Sequence, residues 1–256
     1  MATALRNCTD EGRPEAVSFV RRADGSILVA VGRPRRIHPV TRAKKEPPRS
    51  QGEPAGRAKK ASLRAGQLGS DEGTRDRMVA GAARLLAERG LQATSFSEVL
   101  GLTSSPRGSV YHHFPDGKEQ LVKAALDLVT AQMGEVFSPS PGASPAEVAD
   151  LFLRIWRSVL RRSSYSAGCA VVAVTVAADS PDLLTHVGVI FRAWRGRMTR
   201  LLAQGGLGPP DAARFAATLI AASEGAVVLS RAEQSMEPFD LVAAQLMEQA
   251  RTLVTR

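Results

Sequence analysis

FSEVLGLTSSPRGSVYHHFPDGKEQL, residues 96–121, is the stretch whose reading decides the fold. It starts as a short helix, breaks at the polar triplet Thr103, Ser104 and Ser105, and restarts at Pro106. Proline suits a first helical turn because it lacks the amide hydrogen that this position leaves unpaired. Val99 and Leu102 in the first piece, and Val110 and Phe114 one turn apart in the second, are the expected apolar contacts locking two short helices across a tight turn. The other face of the second piece presents Arg107, Gly108, Ser109, Tyr111 and His112, which is small, basic and rich in hydrogen-bonding groups.

A helix-turn-helix lays the N-terminal end of its second helix in the major groove, and needs small residues for close approach and donors for base edges and phosphates. Gly108 would let the backbone come near a duplex, Arg107 could pair bidentately with guanine, and Tyr111 joins a ring for a thymine methyl to a phosphate-reaching hydroxyl. PDGKEQL then starts a third helix near Asp116, with Lys118 in its first turn. A helix dipole favours anions there, so a phosphate beside Lys118 would answer the mismatch.

Upstream, Thr74 to Arg89 places Met78, Val79, Ala82, Leu85 and Leu86 on one face, and Gly90 follows where a helix commonly stops. Ser95 with Glu98 reads as a capping box opening the first short helix. Downstream, a helix runs on from Glu119 through LVKAALDLVTAQMGEVF and is ended by SPSPGASP. Ser144-Pro145-Ala146-Glu147 is a second capping box, and the helix it opens carries Val148, Leu151, Phe152, Ile155, Trp156 and Val159 as a stripe ending near Arg162. GCAVVAVTVAADS is β-branched and locally strand-like, but with helices on both sides and no partner strand in the body it reads as a buried helix. Pro181 to Gln204 is a long helix stopped by Gly205-Gly206, and two more run over roughly Asp211 to Ala232 and Pro238 to Val254. The first of these is apolar on more than one face, so it must be covered twice, once by its own domain and once by something else.

Of the net charge of +9, all sits at one end: residues 1–70 hold 15 Lys and Arg against 6 Asp and Glu, and the rest holds 19 against 19. Residues 1–70 read as a disordered basic extension, apart from a marginal hairpin in which Ser18 to Arg22 and Ser26 to Val31 flank the turn Asp24-Gly25. This tail is either a basic arm that adds non-specific phosphate attraction or upstream sequence included by a misassigned start, and the second reading is favoured. No apolar run of membrane-spanning length and no signal-peptide pattern is apparent, so a cytoplasmic protein is expected. The two cysteines, Cys8 and Cys169, do not support a disulfide framework.

TRDRMVAGAARLLAERGLQATSFSEVL, then SPRGSVYHHF, then GKEQL, in order over residues 74–121, resembles the DNA-binding domain of the tetracycline-repressor (TetR/AcrR) family, especially its LmrA/QacR-like multidrug-sensing branch. One departure is visible: many members carry glycine in the turn where this chain has Ser104, and a left-handed backbone costs serine what it does not cost glycine. The resemblance implies an all-α protein of about nine helices, with a helix-turn-helix domain at 71–121 and a helical regulatory and dimerisation domain at 122–256. It implies double-stranded operator DNA as partner, contacted by Thr94, Ser95, Ser105, Arg107, Gly108, Ser109, Tyr111, His112, His113 and Lys118. Capping alone is the plainer role for Thr94 and Ser95, and the two roles are compatible. It also implies a homodimer through the last two helices, and a two-fold pair fits half-sites spaced along DNA.

For the body, Phe152, Trp156, Cys169, Phe191, Trp194, Met198, Phe215 and Glu224 are the candidate ligand wall, though each taken singly reads first as core. Both tryptophans fall where the resembled family keeps a cavity, and rigid rings with one carboxylate would suit a flat hydrophobic compound, a cationic one included. His112-His113 is a poor metal site, since adjacent helical residues point about 100° apart. No nucleophile with a base, metal cluster or phosphate loop is recognisable, so neither an enzyme nor a cofactor is expected. The leading expectation is a ligand-responsive transcriptional repressor released by a small hydrophobic inducer. The alternative is a small helical enzyme or a non-DNA adaptor.

Overall fold

The computed structural model describes residues 73–253 with their side chains and, by backbone alone, two N-terminal strands and helix residues from 58 onward. The strands β1 (Ala16–Arg21) and β2 (Ile27–Gly32) pair antiparallel with Ala16 opposite Gly32 and Arg21 opposite Ile27. They form a unit separate from the helices. They fall on the two segments where the sequence allowed a marginal hairpin within an otherwise disordered tail, with Val and Phe in the first and Ile, Leu and Val in the second. The expected Asp24-Gly25 turn and the rest of the basic tail up to residue 57 lie outside the described residues.

Helix α1 (Ala58–Arg89) begins well ahead of the expected Thr74. Its first half lacks an apolar stripe; Ala, Lys and Leu favour the helix there, against Gly66, Gly69 and Gly73. From there on periodicity takes over: Met78, Val79, Ala82, Leu85 and Leu86 are all buried. Gly90 ends the helix at φ +80, its N–H reaching the Leu85 and Leu86 carbonyls.

Helices α2 (Phe96–Thr103) and α3 (Arg107–His113) follow as two short pieces around a left-handed Ser104, at φ 52 and ψ 33. Val99, Val110 and Phe114 are buried as expected, but Leu102 is 42% exposed. The closest approach of α1 to α2 runs through Gly81 and Thr103, where a Cβ on the glycine would stand 2.6 Å from Thr103 Cγ2 and 3.7 Å from Leu102 Cδ2, so Leu102 reaches α1 with its tip while much of it stays exposed. Pro106 is the N-cap of α3, one place before the first helical turn, with φ −64. Helix α4 (Lys118–Val136) then packs against α1 and leads into the body.

The body comprises α5 (Pro145–Arg162), α6 (Ala170–Ala177), α7 (Pro181–Gln204), α8 (Pro209–Glu233) and α9 (Glu237–Thr252). At α5 both halves of the Ser144–Glu147 capping box are made. The β-branched run is a helix, α6, with Ala170, Val171 and Val174 buried. It touches α1 on one side and α7 on the other. Helix α8 packs on α7, α5 and α9, and Arg157 of α5 clamps Asp240 of α9 at 2.7 and 3.1 Å while lying over the Phe239 ring.

One expectation from composition is corrected here. By length and composition α8 is apolar enough to cross a membrane, contrary to the reading that no such segment exists. Half of its most apolar window is buried by the chain's own packing, as in the core helix of a folded domain.

Candidate functional site

The first site is the outer face of α3. Only Val110 of this helix is buried, because the short helix has one apolar residue to give to the core. Arg107, Gly108, Tyr111 and His112 are exposed, with Tyr111 at 69%. The Tyr111 ring is steadied by an edge contact with Phe96 of α2, centroids 5.7 Å apart at 84°. Ser109 is half-buried and donates its hydroxyl to the Pro106 carbonyl at 2.7 Å. His113 lies on the half-buried side, its ring 5.4 Å from that of His112. Nothing within 4 Å would meet a Cβ placed on Gly108, so the fold itself makes no demand for glycine there.

Four residues predicted to face DNA have different surroundings. Thr94 is fully buried, and its hydroxyl donates to the Gly90 carbonyl at 2.9 Å, which closes the turn after α1. Ser105 is buried, its Oγ 2.9 Å from the Thr103 hydroxyl. Both are corrections: their polar atoms are used inside the head, which removes them from an outward face. Ser95 is the N-cap of α2 and accepts from Glu98 N at 3.2 Å, but Glu98 turns its carboxylate to Arg89 at 3.1 Å, so only half of the expected capping box exists. Lys118 is half-buried, and Nζ donates to the Leu91 carbonyl at 2.8 Å. The mismatch between its charge and the α4 dipole is thus partly answered from within, and two ammonium hydrogens remain.

The second site lies in the body. Burial, and next to it the facing Glu224 carboxylate, push the Cys169 thiol well above its ordinary range. Burial likewise raises the Glu224 carboxyl to about 7. A thiol so placed is a poor nucleophile. Trp156 is 3% exposed and Glu224 8%, and among the described residues neither Trp156 Nε1 nor Glu224 Oε1 has a hydrogen-bond partner. Buried polar atoms are nearly always paired, so two such atoms in one domain call for explanation.

The remaining predicted wall residues do not all meet. Phe152 stacks edge-on against Phe137, 5.5 Å away, and Arg197 lies over Phe137 and donates to its carbonyl at 2.6 Å. Phe191 and Trp194 form a second edge contact at 5.7 Å on a half-buried part of α7. Met198 and Phe215 are core residues, 2% and 0% exposed. The structure therefore brings together Cys169 with Glu224 and Phe191 with Trp194, and gives Phe152 a partner outside the predicted set.

Between the two sites lies a junction that sequence reasoning missed. Gly168 N–H donates to the Ala87 carbonyl at 2.9 Å, and Arg231 Nη2 donates to Glu88 O at 3.1 Å and Ser166 O at 2.9 Å. No local pattern marks Arg231, whose partners lie 65 and 143 residues away in sequence.

Comparison with known proteins bears on both sites. Residues 78–125 match the family model for bacterial regulatory proteins of the tetR family. Residues 145–245 match the C-terminal domain of the LmrA/YxaF-like transcriptional regulators. The chain is 34% identical over 183 residues to the uncharacterized HTH-type transcriptional regulator Rv0196 of Mycobacterium tuberculosis, covering 68% of this chain and 93% of that protein. It is 27% identical over 177 residues to the uncharacterized HTH-type transcriptional regulator YxaF of Bacillus subtilis, with 68% and 93% covered. Among solved structures it is similar to a TetR transcriptional regulator from Chloroflexus aurantiacus, with a TM-score of 0.59, 28% identity, and 70% of this chain and 94% of that one covered. These relatives are transcriptional regulators, as are the proteins that both family models describe. A helix-turn-helix head of one matched kind, a body of the other and a relative matched over nearly its whole length place the chain in the TetR family of bacterial transcriptional regulators, with an LmrA/YxaF-like C-terminal domain.

Proposed function

We propose that this regulator is a repressor that binds its operator as a homodimer and is released by a small hydrophobic molecule held in the body. The exposed face of α3 carries the DNA half of this reading. Arg107 and Tyr111 extend from it with no packing duty toward the core, and Gly108 leaves room for close approach. Ser95, Ser109, His112, His113 and Lys118 flank the same face as further phosphate or base contacts. Exposed Val228 and Leu229 on α8 and Leu241 on α9 support pairing of two copies through the last two helices. Two buried polar atoms without partners, Trp156 Nε1 and Glu224 Oε1, support a ligand that offers an acceptor to one and a donor to the other, with Phe191, Trp194 and Cys169 as further wall. Such a ligand must favour the conformation that cannot span both half-sites. A protein acting on DNA in this way works in the cytoplasm.

The test begins with a duplex enriched by the wild-type protein from a random-sequence pool. Arg107→Ala and Tyr111→Ala each weaken binding to it by about 1–3 kcal/mol while sedimentation mass stays that of the wild type. Wild-type affinity falls steeply with salt as phosphates recover their counterions. Undiminished affinity in both variants overturns the assignment of α3 as the contact helix.

A further inference from the structure

The last four carbonyls of a helix have no partner within it. At the end of α1, that of Leu86 accepts from Gly90 N–H, which also reaches the Leu85 carbonyl one place earlier, that of Ala87 from Gly168 N–H, and that of Glu88 from Arg231. One of these three donors comes from the head's own turn, and two come from the body. Arg231 is part-buried, and its second acceptor, Ser166 O, belongs to the loop before α6, so one guanidinium holds the end of α1, that loop and its own helix α8 together. A positive charge at a helix C-terminus is also where the dipole favours it. The guanidinium lies across Gly168: a Cβ there would stand 2.8 Å from Nη1 and 3.2 Å from Cδ.

We infer that Arg231, seated on Gly168, is the positioning residue that fixes the angle at which the body presents α3 to DNA. The contacts continue on the head side. Leu91, directly after the clasped end of α1, accepts from Lys118 at the start of α4, and α4 follows α3 with only a short turn between. They continue on the body side as well. Glu224 is two turns before Arg231 on α8, about 10 Å along the same face, and Cys169 is the next residue after Gly168. A ligand that displaced either member of the Cys169–Glu224 pair would act on the clasp through one peptide bond or two helical turns. This last step rests on the ligand and half-site reading proposed above.

The experiment uses the full chain and the duplex enriched by the wild type, together with versions in which the spacing between half-sites is one base pair longer or shorter. Arg231→Met removes the donors and keeps the length, Arg231→Lys keeps charge and a donor, and Gly168→Ala moves the guanidinium without touching it. Arg231→Met and Gly168→Ala are expected to lose about tenfold or more in affinity for the enriched duplex, with non-specific binding unchanged, and to bind the three spacings with nearly equal affinity. Arg231→Lys restores part of both. Amide exchange quickens in Arg231→Met over residues 85–94 and not over α5 or α7. General destabilisation would lower binding to every duplex alike and leave the spacing preference standing. Wild-type spacing preference in both Arg231→Met and Gly168→Ala, or unchanged exchange at the end of α1, overturns the clasp. If the wild type enriches no duplex at all, the repressor reading fails instead, and the exchange measurement alone decides the clasp.

Discussion

Helix α3 turns one residue, Val110, into the core and leaves Arg107, Gly108, Tyr111 and His112 outside, whereas α6, one residue longer, buries Ala170, Val171 and Val174 and has a buried thiol at its N-cap. The two helices show two ways of holding polar groups ready for a partner. Those on α3 are already hydrated, so keeping them there costs the fold little, and DNA binding exchanges one set of hydrogen bonds for another. Those in the body, Glu224 beside the Cys169 thiol and Trp156 on α5, are kept from water, and their unpaired Oε1 and Nε1 weigh on stability until something pairs with them. Substitutions in the head should therefore separate into core and contact residues by their effect on stability. Substitutions in the body should change stability whenever they change recognition.

The largest expected effect tests that separation over three residues. Phe114 is fully buried at the end of α3, with Arg75 over its ring at 5.5 Å, and Phe114→Ala should destabilise the protein by about 3–5 kcal/mol. Tyr111 is mostly exposed and has one edge contact, so Tyr111→Ala should cost about 1 kcal/mol or less. Chemical denaturation of both variants decides it. Equal losses would mean that Tyr111 belongs to the core and would remove it from the contact face.

The next effect sharpens the body side of the comparison. Burial raises the Glu224 carboxyl from 4.5 to about 7, so the folded protein holds this proton more tightly than the unfolded chain does. Stability is therefore lost as pH rises from the unfolded value to the folded one, and the loss levels off above about 7. A shift of this size corresponds to about 3 kcal/mol. Glu224→Gln, which cannot ionise, should be more stable than the wild type by up to that amount at a pH well above 7, and close to it at a pH near 5. Denaturation midpoints at the two pH values check it; a difference that does not depend on pH would show that the carboxyl is hydrated in the folded state.

The same contrast explains what could be read in advance. The head was legible because its signals are local: Pro106, the Ser95 cap, the Val99, Val110 and Phe114 contacts and the glycine after α1 all act within a few residues. Even the departure at Ser104 was readable, and the serine does adopt the left-handed conformation that the turn requires. What sequence did not show was which polar side chains are already engaged within the head. Thr94 and Lys118 look free in sequence, yet each is held by a backbone carbonyl, and for Lys118 that carbonyl is 27 residues away. In the body, helix boundaries were legible from caps and prolines, but the assembly of a ligand wall was not. Periodicity tells which face is apolar without telling which neighbour covers it, so Phe152 met Phe137 and Arg231 went unnoticed.

The smallest effect carries the contrast within a single residue. A glycine inside an exposed helix costs about 0.5–1 kcal/mol relative to alanine, because it gives up more backbone freedom on folding. Nothing within 4 Å opposes a Cβ at Gly108, and its backbone is ordinary helix, so Gly108→Ala should raise stability by about that much. If the glycine is there for DNA, the same methyl should lower affinity for the enriched duplex, because it stands on the face that approaches the groove. Denaturation and a binding titration on one variant give the two signs. A stability gain with unchanged affinity would mean that the α3 backbone stays clear of the duplex and that Arg107 and Tyr111 reach it from a distance.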